Sequence, residues 1–179
     1  QNTLYCTSNH DRGLFDVELI AGAGGVLDDE AREITDATVQ LVPWLRHEID
    51  PWHDLEALFR LRSYMTARRI DVVHTHSSKA GVLGRTAARI GRVPVVVHSI
   101  HGFGFTPLQR PAMRALFITV ERVMSRLTTH FIAVSEANLR EGATLGLFTE
   151  DRVTVIRSGI ALDRYYQRTE RWASLGTGP

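Results

Sequence analysis

The densest run of chemically capable side chains is His74 to Gly81, HTHSSKAG, set between an apolar Val72-Val73 pair and a helical pattern. Three chemistries fit it. Two imidazoles two residues apart share one face of a strand and could begin a metal site. A helix start beside Lys79 could hold a phosphate or carboxylate, because the free N–H groups of a first turn carry partial positive charge. Ser77 or Ser78 could simply cap that helix, accepting from the same N–H groups. Gly81 and Gly84 allow close backbone approach in each case. Spacing alone leaves cap and anion site open, since the same groups serve both.

His98 and His101 bring the number of imidazoles near this point to four. No cysteine or well-placed carboxylate joins them, so the pattern argues against zinc. His74 and His98, within or at the end of apolar strands, read as hydrogen-bonded core residues. His101 differs: it begins HGFGF, where Gly102 and Gly104 free the backbone around Phe103 to approach a ligand. Elsewhere, Gly22-Ala23-Gly24-Gly25 follows a strand, but the dinucleotide fingerprint needs glycine at position 27, which is Leu27. The acidic run Asp28-Asp29-Glu30 would also oppose a pyrophosphate. No nucleophile motif occurs, and Cys6 reads as a small buried residue. Arg110, Arg114, Arg122 and Arg126 line one long helix. They suit either a solvated face or contact with anionic lipid or a lipid-linked phosphate.

These residues need elements to position them. The 179-residue chain is long enough for one domain with a real core. A formal net charge of +1 gives no global case for nucleic acid, and a single cysteine excludes an internal disulfide framework and fits a reducing cytoplasm. No stretch reads as a signal peptide or as a membrane span of roughly 20 residues. Short apolar runs alternate with helical periodicity. Strands are expected over Phe15–Ala21, Thr38–Val42, Asp71–Thr75, Val93–His98, Thr129–Val134 and Val153–Ile156. A helix starts at Asp50-Pro51, with Leu55, Leu58, Leu61 and Met65 on one buried face. Others follow over Ser78–Ile90, Leu108–Leu127 and Ser135–Leu145, the second burying Met113, Leu116, Phe117, Val120, Val123 or Met124, and Leu127. The alternation predicts an α/β fold with a Rossmann-like, doubly wound, mostly parallel sheet. Ligands then bind beyond the carboxyl ends of the strands, which selects the loops at His74–Lys79, Ser99–Phe105, Ser135–Asn138 and Arg157–Ile160.

The segment Val72 to Phe105, VVHTHSSKAGVLGRTAARIGRVPVVVHSIHGFGF, resembles the amino-terminal domain of glycosyltransferase family 4. FIAVSEANLREG (Phe131 to Gly142) and VTVIRSGIALDRY (Val153 to Tyr165) are similar to the same family, in the same order. The resemblance implies one half of a GT-B architecture, two Rossmann-like domains facing a cleft. Residues 1–165 would form the acceptor-side domain, lacking its first strand and glycine-rich loop. Residues 166–179 would lead towards a carboxyl-terminal domain that holds the nucleotide-sugar. The implied reaction is retaining transfer of a sugar to a hydroxyl of a cell-envelope or exopolysaccharide-type glycan or glycolipid, with no cofactor and no catalytic metal.

By the same resemblance His101 is the catalytic histidine. His76, Ser77, Ser78, Lys79, Gly81, Gly102, Phe103, Ser135 and Glu136 line the acceptor side of the cleft. Arg157-Ser158 departs from the family's usual Pro-Asn at the hinge. The implied partners are a nucleotide-sugar donor and a sugar, lipid-linked or small-molecule acceptor, without nucleic acid. The implied location is the cytoplasm, within reach of the inner face of the membrane, and this chain alone would be inactive. Two other readings share the features: a non-catalytic α/β module for an anionic ligand, and a GT-B-like nucleotide-sugar epimerase.

Overall fold

The computed structural model describes residues 2–76, 78–106 and 108–159. Strands and helices alternate along it, and every strand pair is parallel. The first half holds α1 (Asn2–Ser8), β1 (Glu18–Gly22), α2 (Asp28–Arg32), β2 (Thr38–Val42) and α3 (Pro51–Ala67). The second holds β3 (Val72–Thr75), α4 (Ser78–Ile90), β4 (Val95–Ile100), α5 (Pro111–Ser125), β5 (His130–Ala133), α6 (Glu136–Thr144) and, after a 3-10 turn, β6 (Val153–Val155). The α/β class expected from the alternation is what forms.

One difference is topological. Instead of one continuous sheet, the described residues form a two-stranded sheet, β1-β2, and a four-stranded one, β3-β4-β5-β6. Helix α3 ties the two together. Its Tyr64 hydroxyl accepts from Gln40 on β2 at 2.7 Å and donates to Glu18 on β1, and Arg68 pairs with the same Glu18 carboxylate at 2.6 Å. Its inner face, Leu61 and Met65, packs on Val73, Val96, Ala87 and Ala88. A second core gathers Ile100, Phe131, Ala133, Leu147, Phe148 and Val153 around β5.

Helix boundaries follow local chemistry. Asp50 caps α3, its carboxylate accepting from the N–H groups of Trp52 and His53 at 3.0 and 3.2 Å, with Pro51 in the first helical position. Helix α5 starts at Pro111, not Leu108. The residue before a proline is pushed out of the helical region, and Arg110 is extended at φ −55°, ψ 134°.

Three burial expectations are corrected. Leu55 is exposed, because α3 carries apolar residues on two faces and turns only Ala57, Leu61 and Met65 fully inward. Helix α5 departs from part of its expected stripe: Met113, Leu116 and Val123 face outward and Met124 is buried as the stripe allowed, while Ile118 and Ser125, outside the stripe, are buried too. The cause is an ion pair. Arg85 of α4, wholly buried, reaches Glu121 of α5 at 3.1 Å and draws that side of α5 inward. Cys6 is exposed rather than buried, because short α1 turns Leu4 and Thr7 inward.

Candidate functional site

The pleat decides which histidines meet. In the β3–β4 register His74 lies opposite Val97, and Thr75 opposite His98. Alternate residues point to opposite faces, so His98 and Thr75 share the face under α4, and His74 points the other way. His98 is buried there, its Nδ1 hydrogen-bonded to the Thr75 hydroxyl at 2.8 Å. His74 is hydrogen-bonded as expected but exposed and not in the core: its Nε2 pairs with the Ser99 hydroxyl at 2.8 Å on the opposite face. Among the described residues no group of three or more His, Cys, Asp or Glu is arranged to hold a metal ion.

Beyond the strand ends, His76 follows β3 and His101 follows β4, and the parallel sheet brings them side by side. His76 Nδ1 lies 3.0 Å from His101 Nε2, so one ring donates N–H and the other accepts. His74 lies against His76 with ring centroids 4.3 Å apart and the ring planes tilted by 36°. Burial first, then the neighbouring imidazoles, hold His76 at a pKa of about 3, far below the usual 6.5. Burial also lowers His98 to about 3, with the Arg85 guanidinium adding to it, and partial burial lowers His101. The pair is therefore neutral at neutral pH.

Helix α4 supplies the wall beside this pair. Gly81 is required by the fold: a Cβ there would sit 2.8 Å from His98 Cε1. Ser78 lies against the glycine loop, where a Cβ on Gly104 would meet its Oγ at 3.0 Å. Lys79 is engaged by α3, 2.5 Å from the Asp54 carboxylate and bonded to the Glu48 carbonyl. An anion at this helix start would therefore share Lys79 with Asp54. Ser77, the position preceding the helix, lies outside the described residues, as does the hinge stretch from Ile160 onward.

The 101–106 loop is held from below. Phe103 stacks on buried Phe105 at 4.9 Å, Arg114 of α5 lies over the Phe105 ring, and the Gln109 amide donates to the Gly104 carbonyl at 3.2 Å. From β5, Ser135 caps α6 by accepting from the Asn138 N–H at 3.2 Å, with Glu136 exposed in the first turn. The Asn138 side chain donates to the Ile100 carbonyl at 3.1 Å, joining this helix start to the end of β4. Ser78, His101, Gly102 and Phe103, with His98 and Glu121, line one small cavity of about 40 Å³.

Sequence reasoning passed over two supports of this site, Asp54 and the Arg85–Glu121 pair. Ser99 and Asn138 fell inside the loops it selected, without the hydrogen bonds they make. Those partners are joined only by tertiary packing, and nothing in their spacing marks them.

The sequence profile of Glycosyltransferase Family 4 matches residues 7–164. This chain belongs to glycosyltransferase family 4. Its relatives include the Escherichia coli UDP-Gal:alpha-D-GlcNAc-diphosphoundecaprenol alpha-1,3-galactosyltransferase, 33% identical over 152 residues, which cover 84% of this chain and 38% of that protein. The Staphylococcus aureus capsular polysaccharide biosynthesis glycosyltransferase CapM is 24% identical over 144 residues, covering 80% and 36%. Among solved structures, a glycosyltransferase from Rickettsia africae matches with a TM-score of 0.59 at 16% identity, covering 92% of this chain and 43% of that one. The Acinetobacter baumannii MurG structure gives 0.54 at 15%, covering 81% and 37%. The S. aureus MnaA–UDP structure gives 0.57 at 16%, covering 86% and 39%. These likenesses agree on the fold, one domain of a GT-B architecture. The family 4 chain spans little more than a third of the length of the curated relatives it matches.

Proposed function

We propose that this chain is the acceptor-side domain of a retaining glycosyltransferase. The enzyme would move a sugar from a nucleoside diphosphate to a hydroxyl on a cell-envelope or exopolysaccharide-type glycan. The observation that carries the reading is the His76–His101 pair at the carboxyl edge of the parallel sheet, inside the region matched to the family. The relative that acts on a diphosphoundecaprenol-linked sugar favours a lipid-linked acceptor over a free one.

In this reading the bond between the anomeric carbon and the diphosphate oxygen breaks. The acceptor oxygen bonds to the same face of that carbon, and the hydroxyl proton leaves with the nucleoside diphosphate. The transition state resembles an oxocarbenium ion. A neutral His101 suits that charge, because an imidazolium would repel it. Its ring and the backbone of Gly102 instead offer hydrogen-bonding groups to the departing sugar. His76 holds the ring through the 3.0 Å contact. Ser78, Lys79, Gly81, Phe103, Ser135 and Glu136 are the acceptor-side wall, with Ser77 assigned to it by sequence. The reading requires no cofactor and no catalytic metal. It places the enzyme in the cytoplasm at the inner face of the membrane; no helix among the described residues is long and apolar enough to cross one.

The test is transfer of a labelled sugar from nucleotide-sugars to polyprenyl-diphosphate-linked acceptors. The full-length protein is expected to give a glycosylated lipid, and the 179-residue chain alone none. Turnover by the 179-residue chain alone would overturn the acceptor-side assignment.

A further inference from the structure

Helix α3 carries two apolar faces, and its own core uses one. Ala57, Leu61 and Met65 turn inward. On the other side Trp52, Leu55, Phe59 and Arg62 recur at spacings of three, four and three residues. Those are the a and d positions of a heptad, the narrow seam that one helix offers to another. The seam is open to solvent: Trp52 is 82%, Phe59 54% and Leu55 46% exposed, and Ile49, just ahead of the helix, is 81% exposed. A solvated helix face is polar, so a seam of this kind marks an interaction surface.

Charge along the helix decides what fits the seam. The amino-terminal half with its cap, Asp50 to Phe59, holds Asp50, Asp54 and Glu56 and no lysine or arginine. The carboxyl-terminal half with its cap, Arg60 to Arg68, holds Arg60, Arg62 and Arg68 and no aspartate or glutamate. Such a helix is complementary to itself turned end for end, which is what a two-fold axis does. Asp54 is engaged by Lys79, Arg68 by Glu18, and Glu56 pairs with Arg60 along the helix. Arg62, on the seam itself, pairs with no carboxylate among the described residues.

We infer that this chain pairs with a second copy of itself through antiparallel α3 helices. The register that sets Leu55 against Phe59 of the second copy also sets Trp52 against its Arg62, because both pairs share one midpoint. A guanidinium over an indole and an aliphatic side chain against a phenyl ring are contacts of the kind that hold interfaces. Helix α5 offers no such match. It also exposes Leu116 and Val123, but the charges outside it, Arg110, Arg122 and Arg126, are of one sign and repel a second copy. The start of α3 lies at the ligand edge, where Asp54 holds Lys79. Antiparallel pairing therefore sets the two ligand edges apart and leaves both open. The inference goes beyond sugar transfer and does not depend on it.

The experiment is sedimentation velocity of the 179-residue chain and of the full-length protein over a concentration series. Both are expected to be dimeric at about 100 μM and to dissociate on dilution, since one helix pair buries less than a standard interface. Phe59→Asp is expected to raise the dissociation constant by about tenfold or more, as loss of a central contact does. Its side chain is exposed, so the melting curve of the dilute, monomeric chain should change little. Leu116→Asp on α5 should leave the dimer intact. Direction is read by cross-linking in a Cys6→Ser background, which removes the exposed native thiol. Trp52→Cys chains mixed with Arg62→Cys chains should form the mixed disulfide faster than either forms its own. A monomer at every concentration, a dimer insensitive to Phe59→Asp or lost with Leu116→Asp, or faster cross-linking of Trp52→Cys chains to themselves overturns the inference. So does a 179-residue dimer beside a monomeric full-length protein, which would mean that the rest of that protein covers the seam.

Discussion

His98 shows how one residue couples this site to stability. It is buried against α4, and burial lowers its pKa from 6.5 to about 3. Unfolded, it binds a proton near 6.5; folded, it does not. Between these values the unfolded state holds more protons, so stability rises with pH and is lost as pH falls below 6.5. His76 adds to the same slope. Melting temperature should therefore be flat above 6.5 as far as these groups decide it, and should drop between 6.5 and about 3. A melting temperature independent of pH across that window would mean that the two rings are not buried neutral. Gly81→Ala tests the same packing by sterics: the added Cβ lies 2.8 Å from a ring pinned by Thr75. A loss of about 1–3 kcal/mol in denaturant titration is expected; full stability would show that His98 can move.

Among single residues, the place of His101 at the head of a glycine loop was legible from HGFGF, and the close packing at Gly81 from the small residues that cluster in α4. Lys79 was legible as a cation but not as the partner of Asp54. That pairing joins residues 25 apart, and only the packing of α3 on α4 brings them together.

At the scale of elements, the Arg85–Glu121 pair sets how α4 and α5 meet. Removing one partner strands a buried charge, whereas replacing both with apolar residues need not destabilise. Glu121→Ala is expected to cost about 3–5 kcal/mol, and Arg85→Met with Glu121→Leu much less, by equilibrium unfolding. Equal losses in the single and double variants would show that the pair does not act as a unit. The same pair explains why sequence periodicity missed the orientation of α5. A hydrophobic pattern reports where apolar residues lie, not which face an ion pair and a guanidinium–aromatic contact draw inward. Helix α3 shows the complementary limit. It has two apolar faces, and periodicity cannot tell the buried one from the exposed one. Strands were read more reliably: β2 falls at its expected bounds, and the near-continuous apolar run of β4 marks a strand covered on both sides. Ser135→Ala, which removes the α6 cap, should cost about 1 kcal/mol, measured by the same titration.

For the whole molecule, the split between β2-β1 and β3-β4-β5-β6 is the informative feature. Parallel doubly wound sheets commonly run in the order 3-2-1-4-5-6, as the handedness of crossovers favours. Placing one parallel strand between β1 and β3 turns the observed order into that one with a seventh strand, β6, at the far edge. We propose that the full-length protein has such a strand there, and that it joins the two sheets into a single ligand-binding edge. A structure of the longer protein with β1 hydrogen-bonded directly to β3 would contradict this. Fold class was legible in the sequence because alternation is a local signal; the split was not, because pairing partners are a property of the assembled sheet.

The central claim is that chemistry happens at the His101 loop. It is tested most directly by steady-state transfer kinetics of His101→Ala in the full-length enzyme, with acceptor concentration varied. The expected result is a fall in kcat of about 100-fold or more, as for loss of one transition-state hydrogen-bond group, with a small change in the acceptor KM. An unchanged kcat would remove His101 from the mechanism and contradict the account.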